Sequence, residues 1–233
     1  MSVELIAELS TSHGGDVELA CEMVRAAADS GAHTVKIQSY TLAALNPKDP
    51  QADWLRQAHL DEAAHVRIME QCEQSRVRFL STPFDVVSLR MLIRLGLQRI
   101  KVPSSLPIWP ALLDEAGMSQ VKSWPWGVKG ADPARIVVAD LTAIPLYPTP
   151  LEAVRRAPLL DGWSDHTIGT AACQYMIASG ATIIEKHFSL PGKGRNCAWD
   201  ATSVQFREIR DWADAVETMT TGVSQIFRER WRA

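Results

Sequence analysis

The sequence lacks the features that mark membrane, secreted and nucleic-acid-binding proteins. None of its apolar runs approaches the roughly 18 residues that a membrane span requires. The N-terminus, MSVELIAELS, has no basic segment before its apolar residues, so we expect no signal peptide. The net charge of −3 provides no basic field that would attract a nucleic acid backbone. We therefore expect a cytoplasmic protein with neither a membrane nor a nucleic acid partner.

Cysteine and nucleotide-binding motifs are also scarce. The four cysteines show no CxxC spacing, and three of them lie in helix-like apolar patterns, which predicts buried, reduced thiols. No GxGxxG or GxxxxGK motif follows a predicted strand. The absence of these phosphate-binding loops disfavours an open, doubly wound nucleotide-binding sheet.

What the chain does have is an alternation of strand-like and helix-like apolar spacing along most of its 233 residues. The spacing predicts helices at 17–28, 60–74, 86–95, 107–116, 151–156, 168–179 and from 203 onward. It predicts strands at 3–8, 33–38, 77–80, 99–102, 119–123, 135–141, 162–164 and 181–187, of which 119–123 is the weakest. Eight such units in one chain predict an α/β fold, a TIM (β/α)₈ barrel that forms one domain over residues 1–233.

The fifth unit of this barrel is degenerate. The segment WPWGVKGADPA at 124–134 contains two prolines and two glycines, so it cannot hold a regular helix. We therefore predict that helix five is missing.

Polar side chains end most of the predicted strands, where a barrel places its active site. Lys36 and Lys101 lie inside otherwise apolar runs, TVKIQ and RIKVP, and a buried lysine normally requires an anionic partner. The period of two places Gln38 on the same face as Lys36. With a threonine and several serines at neighbouring strand ends, the lysines predict a pocket for phosphate and carboxylate groups.

Two histidines, His166 and His187, end adjacent predicted strands. They could bind one divalent ion through imidazole nitrogens, although a lone histidine pair is more often structural. By the same period of two, Glu185 faces the same way as His187, while Lys186 faces the helices.

Seven motifs, in order, carry a resemblance to a known family. They are IAELSTSHGGD, VKIQSY, FLSTPFD, IKVPSS, LYPTP, WSDHTIG and IIEKHFSL, spread over residues 4–190. The chain resembles the sialic acid synthase (N-acetylneuraminate synthase) family of phosphoenolpyruvate-dependent condensing enzymes. The resemblance implies a TIM barrel that joins phosphoenolpyruvate to an aldehyde sugar. It also implies a divalent metal, manganese by preference, with magnesium or cobalt as alternatives.

The resemblance also implies roles for individual residues. His166 and His187 fall on metal-ligand positions, and Glu8, Gln38 and Tyr147 fall on sugar-contacting or mechanistic positions. Asp200 matches a late aspartate in the substrate site. The positions that bind phosphoenolpyruvate in the family correspond here to Lys36, Thr82, Lys101, Ser104, Ser164 and His166.

Three departures from the family pattern bear on the sugar. Only Ser123 stands where the family has an STGM-like strand five, and Pro145 stands where it has an asparagine. The family's C-terminal antifreeze-like domain has no match in the sequence given, which removes the usual reason for a swapped dimer but leaves a homodimer open. We therefore expect an aldehyde other than N-acetylmannosamine.

Three functional hypotheses remain from the sequence. The leading one is metal-assisted condensation, with Glu185 activating the attacking water and Tyr147 positioning the aldehyde. The others are a noncatalytic barrel that binds a sugar or phosphoenolpyruvate, and a metal-dependent aldolase that uses no phosphoenolpyruvate.

Overall fold

A computed structural model describes residues 2–102, 119–125 and 137–230 of the chain. The strands are β1 Glu4–Ser10, β2 Thr34–Ser39, β3 Arg78–Pro83, β4 Arg99–Val102, β5 Ser119–Pro125, β6 Val137–Ala143, β7 Gly162–Asp165 and β8 Ile183–His187. The helices are α1 Val17–Asp29, α2 Ala52–Gln57, α3 Glu62–Gln74, α4 Val86–Arg94, α5 Leu151–Val154, α6 Ala171–Ala178 and α7 Ser203–Arg230, and Leu42–Ala44 forms one 3₁₀ turn.

The strands form one parallel sheet in the order β3-β2-β1-β8-β7-β6-β5-β4. The two ends of this order, β3 and β4, contact each other, so the sheet closes on itself. The predicted (β/α)₈ barrel is confirmed. The strand at 119–123 is real and extends to Pro125 as β5.

Two boundaries differ from the sequence prediction, and two predictions cannot be compared with the structure. Ser81 and Thr82 continue β3 because they pair in register with Ile37 and Gln38, whereas the sequence predicted a loop there. The predicted strand 135–141 is observed as β6, shifted toward its C-terminal end. The helix predicted at 107–116 and the segment proposed to lack helix five lie largely outside the described residues.

Short polar residues determine where the helices begin and end. The side chains of Asp16, Asp61 and Asp85 each accept a hydrogen bond from a backbone N–H in the first turn of α1, α3 and α4. These bonds satisfy donors that have no partner inside the helix. Gly31 follows α1 with φ of 90°, a left-handed conformation that glycine adopts without strain and that turns the chain into β2.

The period of two along each strand separates two apolar layers. Ile6, Leu80, Leu141 and Ile183 point into the barrel and fill its lower part. The alternate residues pack between sheet and helices, where Ile184 and Trp163 are buried. On β8, Ile183, Glu185 and His187 therefore point into the barrel. Glu185 and His187 lie toward the carboxyl end of the strand, above the apolar layer. No helix within the described ranges is long and apolar enough to cross a membrane.

Candidate active site

A pocket opens at the carboxyl ends of the strands, where TIM barrels hold their active sites. Side chains from six strands and from the segments that follow β3, β6 and β7 converge on it. The described lining consists of Lys36, Gln38, Thr82, Phe84, Lys101, Ala143, Tyr147, Ser164, His166, Glu185 and His187. Most of the residues predicted from strand ends and motifs are therefore brought together in one place.

Four buried charges form a single cluster on one side of the pocket. Lys101 Nζ donates to Glu185 Oε2 at 2.6 Å, and Lys36 Nζ lies 3.6 Å from the same oxygen. Lys36 also forms an ion pair with Glu8 and donates to Thr82 Oγ1 at 3.1 Å. All four charged residues are no more than 5% exposed. Each lysine therefore has a carboxylate partner within the cluster.

Burial and these contacts shift the pKa of all four members of the cluster. Burial raises the pKa of Glu8, although the charge of Lys36 opposes the shift. Burial lowers the pKa of Lys101 to about 8, assisted by the charge of Lys36 and opposed by Glu185. Burial also acts to lower the pKa of Lys36, but the charges of Glu185 and Glu8 outweigh it and raise that pKa. Burial acts to raise the pKa of Glu185, yet Lys101 and Lys36 hold it well below its usual range. Glu185 is therefore a carboxylate at neutral pH.

The two predicted histidines lie side by side in the same pocket, with ring centroids 5.5 Å apart. His166 Nδ1 is 2.9 Å from the carbonyl oxygen of Ile144. Since a carbonyl only accepts, Nδ1 carries the proton and Nε2 keeps a free lone pair. Burial lowers the pKa of both rings, and the neighbouring imidazole lowers that of His187 further. Both rings are therefore neutral at pH 7, the form that binds metals.

His166 and His187 could supply only part of the ligands that a divalent ion requires. Two neutral imidazoles can supply two nitrogens. Within the described residues, no group of three or more histidine, cysteine, aspartate or glutamate side chains is arranged to hold a metal ion. An ion bound here would therefore keep coordination positions for water or substrate oxygens.

Two aromatic residues, Tyr147 and Trp199, lie beside the two histidines. Tyr147 lies over His166 with ring centroids 4.1 Å apart, and half of its surface is exposed. Trp199 contacts Tyr147 edge to face at 5.5 Å and lies 6.5 Å from His187. The sequence analysis missed Trp199, whose one available signal was its position beside Asp200.

Several predicted site residues lie behind the lining rather than in it. Glu8 pairs with Lys36 from the neighbouring strand β1, and its Oε1 accepts from the backbone N–H of Ser10 at 2.6 Å. Asp200 accepts from the N–H of Cys197 at 2.8 Å, and its nearest oxygen is 3.8 Å from His187 Nδ1, beyond hydrogen-bond length. Ser104 is outside the described residues.

Together, the fold and the site define a (β/α)₈ barrel whose carboxyl-end pocket holds two buried lysines, their carboxylate partners and a pair of neutral imidazoles. The sequence matches the NeuB family over residues 23–122 and 133–225, and the chain belongs to that family.

Relatives and solved structures agree with this assignment. An N,N'-diacetyllegionaminic acid synthase of Campylobacter jejuni is 30% identical over 80% of this chain and 67% of its own length. A protein of the same name from Legionella pneumophila is 29% identical over 91% of this chain and 72% of its own length. A crystal structure of N-acetylneuraminic acid synthetase from Leptospira borgpetersenii shares the fold, with a TM-score of 0.82 at 23% identity, covering 94% of this chain and 85% of that one.

Proposed function

We propose that the protein condenses phosphoenolpyruvate with an aldehyde sugar to give a sialic-acid-like 2-keto-3-deoxy acid and phosphate. The observation that carries this proposal is that two buried lysines, Lys36 and Lys101, and two neutral histidines line the same pocket. The first pair suits a phosphate and a carboxylate, and the second suits a divalent ion that could polarise a carbonyl oxygen. Membership of a family whose relatives are named as sugar acid synthases supports the same reaction.

The lysine side of the pocket would bind phosphoenolpyruvate. Lys36 and Lys101 supply charge, and the hydroxyls of Thr82 and Ser164 lie beside them. Charge-assisted hydrogen bonds of this kind are roughly twice as strong as neutral ones. Binding would fix the enol carbon C3 beside the aldehyde, which converts an encounter between two substrates into a reaction within one complex.

Glu185 would act on the water that attacks C2. In the free pocket its carboxylate is held by Lys101 and by Ser164 Oγ at 2.8 Å, so it is a weak base. When a substrate anion takes over Lys101, Glu185 loses its strongest partner and its affinity for a proton rises. The base is thus activated only when the substrate is in place.

The aldehyde would bind beside His166 and His187. A divalent ion bound by His166 and His187 would supply Lewis-acid polarisation of the aldehyde oxygen. The mixed set of imidazole nitrogens and substrate or water oxygens suits manganese or cobalt better than magnesium, which prefers oxygen ligands. Tyr147, lying over His166, would orient the aldehyde carbon toward C3 of phosphoenolpyruvate.

The reaction balances without any further reagent. A bond forms between C3 of phosphoenolpyruvate and the aldehyde carbon, and the aldehyde oxygen gains a proton to become a hydroxyl. Water adds at C2 and loses one proton, which balances the proton gained by the aldehyde oxygen. The bond from C2 to the phosphate ester oxygen then breaks, the C2 hydroxyl gives its remaining proton to the departing phosphate, and the keto group of the product forms at C2.

Phosphate release is the measurement that tests the proposal. Purified protein is incubated with phosphoenolpyruvate, manganese and a panel of aldehyde sugars that differ in their acetamido groups, and the keto acid is identified by mass spectrometry. We expect stoichiometric phosphate and keto acid with at least one aldehyde. Binding of phosphoenolpyruvate without turnover on any aldehyde would favour a noncatalytic barrel, and metal-dependent carbon–carbon bond formation without phosphoenolpyruvate would favour an aldolase.

A further inference from the structure

A second buried ion pair lies on the other side of β8, away from the pocket. Lys186 Nζ is 2.5 Å from Asp165 Oδ2 and 2.5 Å from the carbonyl oxygen of Thr167. The lysine and the aspartate are at most 1% exposed. The two partners of Lys186 are the residues immediately before and after His166, so one ammonium group bridges the turn that presents this histidine.

Asp165 completes the same turn with both carboxylate oxygens. Its Oδ1 accepts from Trp163 Nε1 at 2.8 Å and from the N–H of Thr167 at 3.3 Å. Its Oδ2 accepts from the Thr167 hydroxyl at 3.1 Å and from the Cys173 thiol of α6 at 3.4 Å. The turn is therefore tied to its own strand and to the helix behind it.

His166 is held from the pocket side as well. Its ring donates to Ile144, and its carbonyl oxygen accepts from the N–H of Thr149 at 2.8 Å. The direction of Nε2 thus depends on the hydrogen bonds of His166 with Ile144 and Thr149, and on the bridge that Lys186 forms across the turn.

A contribution to the stability of the fold does not by itself explain why Lys186 and Asp165 are paired here. A buried ion pair often contributes no more to stability than well-packed apolar residues of the same volume. The bridge instead has a geometric effect. Lys186 lies between Glu185 and His187 on β8, and its contacts with Asp165 and Thr167 tie that strand to the turn that carries His166.

We propose that Lys186 is a positioning residue, which acts with Asp165 to fix His166 Nε2 toward the pocket. The proposal rests on the proposed function in so far as that nitrogen holds the metal. Partners of this kind behind a metal ligand typically change metal affinity about 10- to 100-fold when removed.

The test compares a charge-free double variant with a control that weakens the fold elsewhere on α6. Lys186→Met/Asp165→Asn removes the ion pair without leaving an unpaired charge, and asparagine keeps an acceptor for Trp163. Ile177→Ala truncates a buried apolar side chain of the same helix, one that can make no hydrogen bond to the turn. Mn²⁺ affinity is measured by titration with electron paramagnetic resonance, and phosphoenolpyruvate affinity by calorimetry.

We expect the double variant to lose about 10- to 100-fold in Mn²⁺ affinity while its phosphoenolpyruvate affinity stays within twofold. The control should keep both affinities. An unchanged Mn²⁺ affinity in the folded double variant, or equal losses of both ligands, would overturn the proposal.

A metal-free measurement separates this proposal from the proposed function. In ¹⁵N-histidine spectra, assigned with His166→Ala, wild-type His166 should show a single Nδ1–H tautomer, and the double variant a mixture of tautomers. If wild type binds no Mn²⁺, the metal part of the proposed function is wrong, and the tautomer result alone decides the positioning role. An unchanged His166 signal would then refute it.

Discussion

Replacement of Lys101 by methionine should weaken phosphoenolpyruvate binding and reduce stability, each by an amount that the pocket geometry indicates. The Lys101 ammonium is 2.6 Å from Glu185, and both side chains are at most 5% exposed. Methionine keeps most of the apolar stem but removes the charge. The variant therefore leaves Glu185 with Ser164 and with Lys36 at 3.6 Å.

The stability effect follows from the carboxylate that remains. Removal of one partner of a buried pair typically costs about 3–5 kcal/mol. Lys36 still neutralises part of the Glu185 charge, so we expect the lower end, about 3 kcal/mol, in urea unfolding. The double variant Lys101→Met/Glu185→Gln should recover much of this loss because no unpaired charge remains.

The binding effect follows from the lost charged contact. A hydrogen bond to a charged group contributes about 1.5–3 kcal/mol, which corresponds to about ten- to a hundredfold in affinity. Calorimetric titration with phosphoenolpyruvate should show this loss in Lys101→Met and in Lys36→Met. Lys48→Met, which alters an exposed lysine, is the matched control and should bind like wild type. Unchanged affinity in both pocket variants would refute the assignment of the anion site.

Three further predictions concern the metal, pH and the sugar. His166→Ala and His187→Ala should each abolish metal-dependent turnover in a protein that stays folded by circular dichroism; near wild-type rates at matched metal occupancy would contradict this. Because the pKa of Lys101 is lowered to about 8, its charge is lost as pH rises through that value. The kcat/KM for phosphoenolpyruvate should therefore fall above about pH 8, with the alkaline limb absent in Lys101→Arg; a flat profile to pH 9.5 would rule this out. With Pro145 in place of a side-chain donor, N-acetylmannosamine should not be the best aldehyde, and the highest kcat/KM for it in a panel would show the reasoning to be wrong.

The sequence by itself determined the barrel and the face on which each strand-end residue lies. Both depend on local spacing: helices and strands alternate, and successive strand side chains point to opposite sides. That rule placed Lys36 with Gln38 and Glu185 with His187 in the pocket, and it sent Lys186 to the helix layer. The motif resemblance added the family, which the comparisons confirm.

Only the tertiary structure decided which of these groups are partners. Lys101 and Glu185 are 84 residues apart in the chain, and closure of the barrel brings them to 2.6 Å. The same closure sets Asp200 behind His187 and adds Trp199 beside it. Local periodicity carries no information on such distances, because they depend on how eight strands tilt and pack around a common axis.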